Sequence, residues 1–338
     1  MRSRLVIGFA VATVATALLV STAGRNLIVR LGSGWVAPQN AAAGVDGRAE
    51  SAAWEKLGAA FRGRVVWSSN RSGNHELYLR TVPGDTLQQL TEHPNVDFGA
   101  RFSPDGEAIV FMRSRREWVS FRETDAWDVM LLELDTGRER RLARRGYHPT
   151  WGPGGRSVVF ARGNSVVELD LASGAERVLL DSDALTDGRA MGDPELHEDG
   201  SKLAVSVGRY GAIVLPPQAS SYQRLTDQHV CQTTWVPGTD DLLWMEASGN
   251  GGTRVMRGAA DGSVVEVFMD LPGERSHEYF PTLSQDAAWM VWAASAEGHE
   301  HDRADYEIYA WRVGDPWDDA VRLTYFAGND QWPDIYVD

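Results

Sequence analysis

Three stretches toward the C-terminal end concentrate the residues best suited to chemistry. Ser276-His277-Glu278-Tyr279, Gly298-His299-Glu300-His301-Asp302-Arg303-Ala304-Asp305 and Gly328-Asn329-Asp330-Gln331-Trp332 together hold three histidines and several carboxylates. Imidazole with carboxylate suits zinc or manganese, whereas carboxylates and carbonyls alone suit calcium. A site for such a divalent metal, or for a polar ligand, would use His277, His299, His301, Asp302 and Asp330 as ligands. Glu278 and Asp305 would stand behind them. The plain alternative is a solvated acidic loop whose Asp and Asn residues cap turns. No Gly-x-Ser-x-Gly elbow, His-Glu-x-x-His, P-loop or dinucleotide fingerprint is present, so no motif demands a cofactor. Cys231 is the single cysteine, which excludes an intramolecular disulfide and a cysteine-built zinc site.

The elements that must position these residues are bounded by composition. The formal net charge is −14. Duplex binding needs a basic face that displaces counterions, so nucleic acid is excluded, and an anionic membrane surface is a poor partner for the folded part. Hydrophobic residues make up 43% of the 338, enough for a large core. Arg2 and Arg4 precede an uncharged apolar run from Leu5 to Val20, followed by Ser21-Thr22-Ala23, a small-x-small pattern. Residues 1–23 read as a cleaved secretory signal or as an uncleaved anchor. Either places the rest outside the cytoplasm, in the periplasm or secreted, with residues 5–23 the only membrane contact. No cysteine follows closely enough for a lipid anchor. Residues 24–62 read as a linker ending in a short amphipathic helix over Ser51–Phe61, with Trp54, Leu57 and Phe61 on one stripe.

From residue 63 onward the pattern is a repeat. Val65-Val66-Trp67 forms an apolar strand closed by Ser69-Asn70-Arg71. Then come Glu76-Leu77-Tyr78, Leu90-Thr91 and the turn Ser103-Pro104-Asp105-Gly106, in which proline presets one φ and glycine accepts the positive one. Matching strands recur at Ile109-Val110-Phe111, Val158-Val159-Phe160, Leu203-Ala204-Val205, Leu242-Leu243-Trp244 and Met290-Val291-Trp292, and further Leu-Thr pairs at Leu225-Thr226 and Leu323-Thr324. A spacing of roughly 45 residues is one four-stranded propeller blade. The expectation is all-β: a six-bladed β-propeller over 63–338, its ring closed by Trp332-Pro333-Asp334-Ile335-Tyr336 joining the first blade.

Ser-Asn-Arg-x-Gly-Asn-x-Glu-Leu-Tyr at Ser69 to Tyr78, Leu90-Thr91 and Ser103 to Gly106 resemble the repeat signatures of the TolB-like propeller family. The resemblance is strong in the first and last blades and weaker in the third to fifth, where Pro216-Pro217 and Val236-Pro237-Gly238-Thr239 depart from it. It covers the propeller alone. The family's founding member carries a separate α/β domain that contacts the Tol system, and residues 24–62 are too few for one. The resemblance therefore implies a propeller outside the cytoplasm, not membership of the Tol-Pal complex.

A propeller places the loops after its second and fourth strands at one end of the ring, which would gather the three His/Asp stretches on one rim. The first-strand positions Gly99, His148, Asp193, Gln232, Phe280 and Trp332 should align at one level of the channel. His148, Asp193, Gln232, Phe280 and Trp332 are thus candidate ligand-binding residues for a peptide end or a sugar, unless their polarity serves only a water-filled channel. Trp67, Tyr78, Trp244 and Trp292 read as packing between blades, and His75 and His93 as turn residues. Long loops at Arg113 to Asp125, Asp181 to Asp193 and Glu297 to Asp305 share one face. The reading that results is a monomeric propeller that binds a protein or peptide or serves an assembly in the cell envelope, a binding module rather than an enzyme. The alternative is a metal-dependent polysaccharide lyase or hydrolase using the rim His/Asp cluster. That enzyme would need a basic cleft for anionic sugars, for which Arg189, Arg275 and Arg303 are the candidates.

Overall fold

In a computed structural model, residues 44–338 are described, apart from 85, 186, 187, 189, 190, 208–210, 250, 297, 299, 300 and 303. Twenty-four strands, β1 to β24 in chain order, form six four-stranded antiparallel sheets. Val65, Val66 and Trp67 in β1 (Gly63–Ser69) are wholly buried, because blades pack on both faces of a sheet and leave the middle strands no wet side. β1 pairs with β2 (Glu76–Val82), Val66 opposite Leu79 and Trp67 opposite Tyr78, and β2 with β3 (Leu87–Gln89). The fourth strand of this first blade is β24 (Asp330–Val337), which pairs inside β1 with Val65 opposite Ile335. The first and last strands thus zip together as the sequence requires, and the ring has no open seam to template aggregation. Blades two to six follow in chain order, with inner strands β4 (Asp97–Phe102), β8 (Tyr147–Trp151), β12 (Gly192–Leu196), β16 (Val230–Trp235) and β20 (His277–Leu283).

The repeat signatures are hydrogen-bonding devices. The Thr91 hydroxyl donates to the Glu76 carboxylate at 2.7 Å and accepts the Leu77 N–H at 2.9 Å, tying the outer end of the blade to β2. Thr324, Glu307 and Ile308 repeat the arrangement in blade six. Burial pushes Glu76 up to about 7 and Glu307 up to about 8, against the hydrogen bonds that favour their ions. In the Ser103 turn, the Gly106 N–H donates to the Ser103 carbonyl at 2.8 Å with φ of 71° at Gly106. Blades are linked by tryptophan: Trp151 Nε1 donates to the Arg101 carbonyl at 2.9 Å and Trp235 Nε1 to the Glu195 carbonyl at 3.0 Å. Pro216-Pro217 directly follows the strand Ala212–Leu215, which leaves the outermost strand of that blade only Gln223–Arg224.

Among the described residues one helix, α1 (Gly47–Gly58), precedes the propeller. It starts at Gly47 rather than Ser51, because the Asp46 side chain accepts the Ala49 N–H and supplies the N-cap. It ends at Gly58, and Phe61 lies beyond it. The expected stripe is nonetheless buried whole, with Trp54, Leu57 and Phe61 each no more than 2% exposed. Trp54 stacks on Trp67 with ring centroids 5.8 Å apart, and Phe61 meets the Trp289 ring edge-on. The helix therefore lies across the seam between blades one and six. Arg71 fastens it from below, its guanidinium reaching Glu50 of α1 at 3.3 Å and Asp330 of the closing strand at 3.0 Å. No helix among the described residues is long and apolar enough to cross a membrane.

Candidate binding site at the channel mouth

Each inner strand slips register at the same height. The shifts fall between Phe98 and Arg101, Tyr147 and Thr150, Gly192 and Glu195, Cys231 and Thr234, and Tyr279 and Thr282, with a matching shift opposite β24. A single residue at each slip takes a left-handed backbone: Gly99 (φ 66°), His148 (48°), Asp193 (46°), Gln232 (57°), Phe280 (57°) and Trp332 (51°). Such a bulge bends a strand and re-aims one side chain. In five of the six positions the residue is not glycine, and a left-handed non-glycine residue costs about 1 kcal/mol or more. These are the six positions the sequence aligned, and His148, Asp193, Gln232, Phe280 and Trp332 all line one cavity of about 610 Å³.

The cavity has two halves. On the side of blades three to five the wall is polar and knitted residue to residue. His148 Nδ1 lies 2.9 Å from an Asp193 oxygen, and the other Asp193 oxygen accepts the Gln232 N–H at 2.9 Å and the Ser206 hydroxyl at 3.1 Å. The Gln232 side-chain oxygen in turn accepts the Phe280 N–H. Burial alone would raise the Asp193 carboxyl; His148 and these donors outweigh it and hold Asp193 below the usual range. Nδ1 also lies 3.1 Å from the Asp193 backbone N–H.

On the side of blades six, one and two the wall is aromatic. Trp332 packs between Phe98 and Phe280, with centroids 4.4 and 4.3 Å away. Phe121, from the long loop of blade two, stands edge-on to Trp332 at 5.6 Å and to His301 at 4.6 Å. The blade-two loop is joined to the blade-six loop where the Ser120 hydroxyl donates to Asp302 at 2.6 Å. Two of the three long loops thus meet over the aromatic half. Cys231 also lines the cavity, and burial pushes its thiol up to about 12, which favours the protonated form.

The rim His/Asp residues are distributed rather than gathered. His277 sits buried at the start of β20, its Nδ1 3.2 Å from both the Ser276 hydroxyl and the Ser295 carbonyl. His301 faces the cavity, edge-on to Tyr279 at 4.2 Å. Asp302 takes Ser120 and lies 3.4 Å from the Arg122 guanidinium, and Asp330 takes Arg71. Glu278 accepts the Leu271 N–H and the Thr253 hydroxyl, and burial pushes it up to about 7. Among the described residues no three His, Cys, Asp or Glu groups come together that could hold a metal ion; His299 lies outside the described residues.

Two residues beyond each left-handed position lies a second ring that sequence reasoning passed over: Arg101, Thr150, Glu195, Thr234, Thr282 and Asp334. Arg101 Nη1 contacts the Thr282 hydroxyl and lies 3.9 Å from Asp334, which accepts the Phe102 N–H at 2.7 Å. Burial pushes Glu195 up to about 7 and Asp334 up to about 6, with Arg101 opposing in both. The alternation of a strand carries the signal, since residues two apart share a face. Phe121 and Tyr147 were also missed as cavity walls; Phe121 lay in a loop with no fixed register.

Comparison with known proteins agrees with this architecture. No family model matches the chain. A protein TolB homolog of Chlorobaculum tepidum is 27% identical over 101 residues, which are 29% of this chain and 21% of that relative. The chain therefore matches about a fifth of that curated relative's length. Among solved structures, TolB from Acinetobacter baumannii superimposes with a TM-score of 0.59 at 17% identity, covering 81% of this chain and 66% of that one. An oligogalacturonate lyase in complex with manganese reaches a TM-score of 0.50 at 15% identity, covering 76% and 72%. At these identities the structural likeness is one of fold.

Proposed function

From the premise that this chain carries a TolB-like β-propeller, we propose that it is a polypeptide-binding module of the cell envelope, working outside the cytoplasm. The cavity at the channel mouth receives an apolar or aromatic side chain near the end of a partner polypeptide. The observation that carries the reading is the split lining. Phe121, backed by the buried Trp332 and Phe280 rings, offers an apolar wall, while Asp193, Gln232 and His148 stand opposite to satisfy backbone polar groups. Rigid walls lower the ordering cost of binding, and the strained left-handed positions are held by the ring before any ligand arrives. A sugar-cleaving metal site is less well supported, because Asp302 and Asp330, two of its ligands, are engaged by Arg122 and Arg71.

A photo-cross-linking amino acid at Thr124, on the cavity lip, tests this in the native envelope. Val178, exposed on the outer edge of blade three, serves as the control position. The expected result is one dominant protein adduct from Thr124 that is absent from Val178. Identical adduct patterns from both positions, or none from Thr124, would refute it.

A further inference from the structure

The chain is acidic overall, yet blade two carries an arginine-lined cleft at its outer edge. Its strands are β4, β5 (Ala108–Ser114), β6 (Trp127–Glu133) and β7 (Glu139–Arg144). Register pairing sets one charged residue of each strand in a row: Asp97 opposite Arg113, Arg113 opposite Asp128, and Asp128 opposite Arg144. Charge alternates along the row and ends on Arg144, at the solvent edge, with no carboxylate partner among the described residues. Arg115 and Arg141 flank the row. Arg113, Arg115, Arg141 and Arg144, with His93, line a cleft of about 350 Å³ whose only lining carboxylate is Asp128.

The pairing is uneven. Arg113 is fully engaged, donating to Asp97 at 2.6 and 2.7 Å and to Glu139 at 2.5 Å. Asp128 is left to answer two guanidiniums, with Arg144 opposite it in register. It meets Arg115 only at 3.7 Å and Arg141 only at 3.5 Å, and its shortest bond, 3.1 Å, is from the Arg145 backbone N–H. Edge protection by charge is one reason to place arginine on an outer strand. Charge stands on other outer strands too, at Glu176 and Arg177 of blade three and Glu266 of blade five, but there it is of mixed or acidic sign and interleaved with exposed Val178, Val265 and Val267.

We propose that this cleft on blade two binds a phosphate-class oxyanion, held by Arg115, Arg141 and Arg144 around the Asp128 carboxylate. Planar guanidiniums meet tetrahedral oxyanions with paired donors, and three of them facing one carboxylate leave positive charge for such a group to neutralise. The site is separate from the channel mouth and stands or falls independently of it.

Calorimetric titration of the full chain at neutral pH tests the proposal, in one arm with inorganic phosphate and in the other with vesicles containing phosphatidic acid. The expected result is saturable binding that Arg144→Gln weakens by about tenfold, the loss of one charge-assisted pair. Arg138→Gln in the turn just before that strand, whose partner is Glu133 outside the cleft, leaves it unchanged. Binding confined to the vesicle arm identifies a lipid headgroup as the source, and binding to inorganic phosphate a soluble one. No binding in either arm, or wild-type affinity in a folded Arg144→Gln variant, overturns the proposal.

Discussion

The two halves of the channel mouth share one backbone device and differ in chemistry. On both sides a bulge turns a left-handed residue toward the channel. Toward the seam, at blades six, one and two, those residues are Phe280, Trp332 and Gly99; away from it, at blades three to five, they are His148, Asp193 and Gln232. The aromatic half is continuous with the hydrophobic core that runs through Trp127, Phe98 and α1. The polar half is stitched by side-chain to backbone bonds that pass from blade to blade. The same local geometry thus joins the hydrophobic core on one side and a polar network on the other, and the division can be broken experimentally.

The largest effect belongs to the seam. Trp332→Ala removes a ring that is 4% exposed and packed between two others, and it should cost about 3–5 kcal/mol in denaturant unfolding. A loss under about 1 kcal/mol would place the cohesion elsewhere. The next effect is a pH dependence weighted to the same side. Glu76, Glu278 and Glu307, in blades one and six, are raised from 4.5 to about 7, 7 and 8. A carboxyl whose folded value lies above its unfolded one resists ionising in the folded state. Stability is full below the unfolded value and falls as pH rises through the window from about 4.5 to about 8. The midpoint of thermal unfolding should therefore drop between pH 5.5 and 8, and Glu307→Gln should flatten the slope. A rising midpoint would contradict the assignment.

Smaller effects belong to the polar half and to the glycine position of blade two. Asp193→Asn keeps the shape but weakens the bonds to His148 and Gln232, costing about 1 kcal/mol of stability while removing most partner binding. A stability loss as large as that of Trp332→Ala would erase the contrast between the halves. The smallest is Gly99→Asn. The new Cβ would meet only Met112 at 3.6 Å, and asparagine accepts the left-handed backbone, so unfolding should shift by less than about 1 kcal/mol.

Most of the ring was legible because its repeats are hydrogen-bonding units. Thr91 with Glu76 and the Ser103 turn are local, and local chemistry writes itself into spacing. Closure by Trp332 to Tyr336 followed from counting strands. The six channel positions were legible as aligned first-strand residues, although the bulge that turns them inward leaves no mark in composition. Phe121 reaching Trp332 depends on a loop crossing from blade two, and loop paths carry no periodicity. The His/Asp stretches do share a region, but Arg71 and Arg122, distant in sequence, take Asp330 and Asp302, and no spacing rule reveals such partners. The α1 boundary was missed because Asp46 caps a turn rich in small residues ahead of the apolar stripe.

The most direct test of the channel mouth as a binding site takes the partner segment cross-linked at Thr124, made as a peptide. It is titrated into the wild-type chain and into Asp193→Asn. The account predicts saturable one-to-one binding to the wild type and affinity at least about tenfold weaker in the variant. Equal affinity for both would contradict it.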